Sequence, residues 1–111
     1  MDAKEYLAQF GRDAEKMKAE VGDMVGAFGG LFAKVMGKGA LDVKQKELIA
    51  FGIAVAKQCE PCIKLHVKKC LDSGADKKEI LEAACVAVMM AGGPAYTHIP
   101  MVMKTIEELA G

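Results

Sequence analysis

Four side chains between Glu47 and His66 carry the chemistry that this sequence offers. The stretch reads ELIAFGIAVAKQCEPCIKLH: one carboxylate, Glu47, at the head of an apolar run, then the Cys-x-x-Cys pair Cys59 and Cys62, then His66. Two thiols at this spacing can close and open a disulfide, and the thiolate is the attacking species. A helix N-terminus and a neighbouring imidazole base both favour that thiolate. At about 100° per residue, helical positions 59, 62 and 66 fall at about 0°, −60° and −20° around the axis, one shared stripe. His66 can then lean back toward Cys62, one turn before it. Cys62 is therefore expected to be the activated nucleophile and Cys59 its more accessible partner. Glu47 has two readings. It is either a solvated carboxylate at a helix start or the third member of a Glu–His–Cys relay that orients His66.

The elements that must position these groups read as helices throughout. Asp2-Ala-Lys-Glu5 has the form of a capping box and opens an amphipathic helix with Tyr6, Leu7, Phe10, Ala14, Met17 and Val21 on one face. Gly22 ends it, and Asp23 is expected to cap a second helix, Met24–Met36. Glycines 26, 29, 30 and 37 weaken that helix, at about 1 kcal/mol for each interior position. Tertiary contacts must hold it, and the glycines allow a close approach by another backbone. Asp42-Val-Lys-Gln45 starts a third helix, Val43–Lys57, apolar on every side and so expected to be the central buried one. The break at Gln58–Pro61 begins a fourth helix, with Pro61 in its first turn and Gly74 just past its end. Asp76-Lys-Lys-Glu79 opens a fifth, through Met90. Gly92-Gly93-Pro94 stops it, Ala95–His98 forms a short turn, and Pro100 restarts a last helix to Leu109. No strand-like alternation occurs, so the expected fold is an all-α bundle of about six helices.

Two rival chemistries use the same cysteines. Structural zinc needs four ligands around one ion. Cys59, Cys62, His66 and Cys70 would spread over about 16 Å of one helix, too far for a single tetrahedron. No metal or other cofactor is therefore expected. A thioredoxin fold also places a proline before its second cysteine but requires strands. Cys70 and Cys85 read as small buried hydrophobes. His98, beside Pro100, reads as a surface or packing residue, with a place in a pocket or subunit interface as the alternative. Lys57, Lys64, Lys68 and Lys69 either raise the potential near the thiols or line solvated helix faces.

The bulk properties set the class. A chain of 111 residues is expected to form one domain, 1–111. Lysine plus arginine equals aspartate plus glutamate at 15 each, which leaves no field to draw nucleic acid or an anionic membrane. Met1–Phe10 is mixed and charged, not a basic-then-apolar leader. The apolar runs Leu48–Ala56 and Ala83–Pro94 fall short of the ~18–20 residues that cross a bilayer. A cytoplasmic location is expected, where cysteines serve catalysis, metal binding or burial more often than cross-linking. Hydrophobic residues make up 52% of the chain, with 12 glycines besides; a typical soluble domain reaches about 45–50% with glycine included. That surplus predicts burial against further copies of the chain.

The pattern Glu47–x11–Cys59–x2–Cys62–x3–His66 resembles the signature of alkylhydroperoxidase-like (AhpD-like) proteins of the carboxymuconolactone decarboxylase superfamily. Lys46-Glu47-Leu48-Ile49, the Gly39-Ala40-Leu41 lead-in and Gly92-Gly93-Pro94-Ala95 resemble it too, so the likeness runs from about Gly22 to Leu109. The resemblance implies an AhpD-like helical bundle assembled as a homo-oligomer, a trimer or hexamer. It implies a redox-active cysteine pair that reduces hydroperoxides, with a proton relay through Glu47, His66 and Cys62 and with Cys59 as partner thiol. The expected partners are a hydroperoxide or small disulfide substrate and a dithiol reductant. Some peroxidases of the family carry a histidine just before the second cysteine, where this chain has Pro61. Decarboxylase or lactone chemistry on the same fold, and a non-enzymatic redox-sensing module, are the alternatives.

Overall fold

The capping boxes read in the sequence mark where the two central helices begin. In the computed structural model, which describes residues 1–110, Asp42 accepts from the Gln45 amide at 2.7 Å while the Gln45 side chain accepts from the Asp42 amide at 2.9 Å. Asp76 and Glu79 make the same reciprocal pair at 2.8 and 3.0 Å. Each pair satisfies two of the four amides that a helix start leaves free. Asp2 is only half of a box. It accepts from the Glu5 amide, but the Glu5 side chain makes no return bond to the Asp2 amide; the Ala3 amide donates to Glu108 near the far end of the chain.

The elements are α1 (Ala3–Glu20), α2 (Gly22–Met36), α3 (Val43–Ala56), α4 (Glu60–Asp72), α5 (Lys77–Ala91), the single turn α6 (Gly93–Tyr96) and α7 (Ile99–Ala110). The expected all-α architecture is present, as six long helices and one turn. Gly111, the last residue of the expected domain, lies outside the described residues. Two elements start two residues away from the sequence reading, and other ends shift by a single residue. Asp23 makes no cap; α2 starts at Gly22 behind Val21, without a side-chain cap. The short turn falls at Gly93–Tyr96, not Ala95–His98, because Gly92 takes a φ of 77° and Pro94 sits at once in the following first turn.

Helix α3 lies between α4 and α5, with α7 closing the core across α4. Phe51 and Val55 of α3 meet Ile63, Val67 and Cys70 of α4, Ile80 and Ala84 of α5, and Val102 and Ile106 of α7, all essentially without exposure. The expectation that α3 is buried on every side is not met. Ile49 and Ile53 are 50% and 55% exposed and face an open apolar cleft of about 400 Å³, whose other wall is Ala83, Val86 and Met90 of α5. Among the described residues, only α3 and α5 line that cleft. Helix α2 is peripheral and has no buried residue. Val25, Phe32 and Met36 turn partly inward, while Met24, Phe28, Leu31 and Val35 are exposed. A Cβ added at Gly26, Gly29 or Gly30 would meet nothing within 4 Å, so among the described residues no other backbone approaches them closely.

Cys70 is a core residue, as expected, and Cys85 is not. On α5 the buried positions are Ile80, Ala84 and Ala87, and position 85 lies about 100° around the axis from 84. Burial pushes the Cys70 thiol up to about 12, and the Glu47 carboxylate adds to the shift. In the unfolded chain the same thiol titrates near about 8.5. Above that pH the unfolded state therefore binds fewer protons than the folded one, and stability falls as pH rises toward the folded value. In urea titrations between about pH 8.5 and 10.5, the wild type is expected to lose stability more steeply than Cys70→Ala, by up to about 1.4 kcal/mol per pH unit. Parallel pH profiles would contradict this account of the thiol.

Candidate functional site

The joint between α3 and α4 places the cysteine pair. The Gln58 amide donates to Val55 and the Cys59 amide to Ala54, the two bonds of a Schellman ending. The residue between the helices takes a left-handed φ, usually a glycine's task; here it is Gln58, at φ 56°. The turn after α4 has the same two bonds, Gly74 to Leu71 and Ala75 to Cys70, with glycine at φ 92°. Gln58 thus keeps a side chain in a conformation that costs about 1–2 kcal/mol for an L-residue, directly before the first cysteine. Sequence reasoning missed this, because glutamine carries no signal for such a conformation.

Cys59 closes α3 and also caps α4. Its backbone is extended, its carbonyl accepts from Ile63, and its sulfur accepts from the Cys62 amide at 3.3 Å. The two sulfurs are joined in a disulfide, with Cα atoms 5.2 Å apart. Pro61, in the first turn, has no N–H to offer. Cys59 is not helical, so it leaves the stripe shared by Cys62 and His66, and the first-turn amide points at the Cys59 sulfur.

Glu47 is not solvated. It is 4% exposed, and its Oε1 lies 2.8 Å from His66 Nδ1. A carboxylate only accepts, so in the neutral ring the proton sits on Nδ1 and Nε2 keeps a free lone pair. His66 is one helical turn beyond Cys62 on α4, with 13% of its side chain exposed. The structure thus joins the four sequence candidates in two pairs: a bonded cysteine couple at the α3–α4 joint and, one helical turn along α4, a histidine held in one tautomer by a buried carboxylate. Such a set can accept a thiol proton and return it to a leaving oxygen or sulfur.

The surrounding residues fall into place around this set. Lys64 stands over the Tyr6 ring at 4.3 Å and Lys69 over Phe32 at 5.0 Å. Lys68 pairs with Asp72. His98 donates from Nδ1 to the Pro94 carbonyl at 2.7 Å, a local packing contact. Cys85 lines a separate hollow of about 550 Å³ with Tyr96 and Pro100. Phe32, absent from the sequence candidates, stacks on the His66 ring with centroids 6.2 Å apart; its spacing from His66 gives no pattern that a sequence could display.

Comparison with known proteins places this arrangement. The model of the carboxymuconolactone decarboxylase family matches residues 22–100. A Paracoccus denitrificans protein known as uncharacterized protein 4 in the cox locus is 40% identical over 85 residues, covering 77% of each chain. Among solved structures, a carboxymuconolactone decarboxylase family protein of Legionella pneumophila in its apo form superposes with a TM-score of 0.93. It is 32% identical and the alignment covers 98% of this chain and 97% of that one. A Thermotoga maritima family member, for which a role in the antioxidative response has been suggested, gives a TM-score of 0.84 at 28% identity, covering 93% and 88%. With the family model spanning both the α3–α4 pair and the cysteine joint, the chain belongs to the carboxymuconolactone decarboxylase family.

Proposed function

We propose that the protein is a thiol-dependent oxidoreductase of alkylhydroperoxidase type, which reduces a hydroperoxide at Cys62 and Cys59. The observation that carries this reading is the buried Glu47–His66 bond set one helical turn from a cysteine pair that closes as a disulfide. A solvated or unpartnered Glu47 would have given His66 no fixed tautomer. The suggested antioxidative role of the Thermotoga maritima relative agrees with it.

In the reduced protein, His66 Nε2 takes the proton of the Cys62 thiol. The thiolate attacks one peroxide oxygen, the O–O bond breaks, and the imidazolium returns its proton to the departing alkoxide, giving an alcohol (water, where the oxidant is hydrogen peroxide). Cys62 is left as a sulfenic acid. The Cys59 thiol displaces its oxygen as water, forming the disulfide, and an external dithiol restores both thiols by exchange. Two electrons pass from dithiol to peroxide in each cycle. The first-turn amide at the Cys59 sulfur favours the thiolate of the resolving residue and suits it to exchange with the donor. A small disulfide can replace the peroxide as oxidant.

The test is a brief, limiting peroxide pulse followed by mass spectrometry. Cys59→Ser is expected to react once and stop as a sulfenic acid or mixed disulfide, and Cys62→Ser is expected to stay unoxidised. First oxidation at Cys59 in Cys62→Ser, with Cys59→Ser inert, would reverse the roles. Steady peroxide consumption with a dithiol donor separates an enzyme from a redox-sensing module. Decarboxylase or lactone chemistry would survive both Cys→Ser changes.

The protein is also proposed to work as a homo-oligomer, a trimer or hexamer. Support comes from two apolar faces that one chain leaves uncovered, the Met24–Phe28–Leu31–Val35 stripe of α2 and the α3–α5 cleft beside Ile53. Light scattering is expected to give a multiple of the chain mass at micromolar concentration, reduced by Ile53→Glu. A wild-type monomer would contradict the assembly.

A further inference from the structure

Helix α2 is out of proportion to its packing. It spans 15 residues and buries none of them, yet its C-terminus is pinned firmly. Lys46 Nζ donates to the Val35 carbonyl at 2.8 Å and to the Gly37 carbonyl at 2.6 Å, satisfying carbonyls that the helix end leaves free. Lys46 is the neighbour of Glu47 on α3. Adjacent residues of one helix thus hold the end of α2 and the relay histidine.

What α2 brings to the site is Phe32. Its ring lies 6.2 Å from the His66 ring with planes 25° apart, within the range of an offset stack. Lys69, one turn beyond His66 on α4, places its Nζ 5.0 Å from the Phe32 centroid, a cation–π contact that fixes the aromatic ring from the α4 side. Phe28 follows behind at 6.5 Å. Lys46 to α2, Phe32 to His66, and His66 to Glu47 form a closed circuit of contacts.

We propose that Phe32 is a positioning residue for His66, and that α2 is retained at this end of the molecule to present it. The bond from Nδ1 to Glu47 fixes the tautomer and restrains the ring, but a single hydrogen bond is a soft restraint on its plane, since the torsion about the bond to the ring is broad. A flat partner restricts that rotation and keeps Nε2 on the side of Cys62. It also covers one face of the ring, so that water does not compete for the Glu47–His66 bond. The inference rests on the proposed role of His66 as base to Cys62.

Three substitutions separate plane from volume. Phe32→Tyr keeps the face, Phe32→Leu keeps apolar bulk without it, and Phe32→Ala removes both. Since α2 buries no side chain, all three are expected to fold, which circular dichroism checks. The first readout is spectroscopic. The chain has only two histidines, so the His66 ring protons are assigned by difference from His98→Asn. Their upfield ring-current displacement is expected in wild type and Phe32→Tyr and lost in Phe32→Leu. The second readout is alkylation of the reduced protein by iodoacetamide, which needs no peroxide. Phe32→Leu is expected to slow it about 3–10-fold, the range of one aromatic pair, and Phe32→Tyr to restore it. In a His66→Ala background, Phe32→Leu should change nothing further. Equal slowing with and without His66, or a His66 spectrum indifferent to Phe32, would overturn the proposal. If these results hold while the wild type consumes no peroxide, the peroxidase reading falls and the role of Phe32 stands.

Discussion

The rest of the structure depends on one buried contact, the 2.8 Å bond between Glu47 and His66. A carboxylate at 4% exposure is tolerated inside a protein only when a donor meets it; removing the donor from such a pair costs about 3–5 kcal/mol. That requirement fixes the register of α3 against α4, because the two residues lie 19 positions apart on different helices. The connection between the helices is correspondingly tight. Gln58 turns in a left-handed conformation, Cys59 ends one helix and caps the next, and Pro61 starts the new one. The cysteine pair is therefore placed by the same two helices whose register the Glu47–His66 bond fixes.

Beyond that joint, the chain divides into a closed core and two open apolar faces. The core is made by α3, α4, α5 and α7, where Phe51, Ile63, Ile80 and Ile106 interlock. Exposed apolar side chains gather elsewhere, on the outer stripe of α2 and on the α3–α5 cleft. The cleft is lined by none of the four candidate residues Glu47, Cys59, Cys62 and His66. Surface of this kind is spent on association more often than on a small ligand.

Much of this was legible in the sequence, and the reasons are local. Capping boxes at Asp42 and Asp76 and the glycine stop at Gly74 use interactions within a few residues, so they survive any tertiary context. The spacing from Glu47 to His66 was legible as chemistry, but only the packing of α3 on α4 decides that the carboxylate is buried. What was missed depends on neighbours. Asp23 looks like a cap, but α2 begins one residue earlier, at Gly22, so Asp23 falls inside the helix. Cys85 lies among apolar residues in sequence, yet it turns away from the buried stripe of α5 toward the hollow beside Tyr96. Helix α3 is apolar all round, yet the described residues leave Ile49 and Ile53 half exposed. The division of the first-turn amide between the two cysteines depended on whether Cys59 is helical, a one-residue question that periodicity does not resolve.

The central claim is that Glu47 and His66 act on Cys62 as a unit. A double-mutant cycle on the single-turnover reaction of reduced protein with hydroperoxide tests it most directly, using Glu47→Gln, His66→Ala and the pair, with folding confirmed for each. If Glu47 acts only through the imidazole, the double variant reacts at the rate of His66→Ala alone. If the two losses multiply, the carboxylate and the histidine act independently, and the relay is not the mechanism.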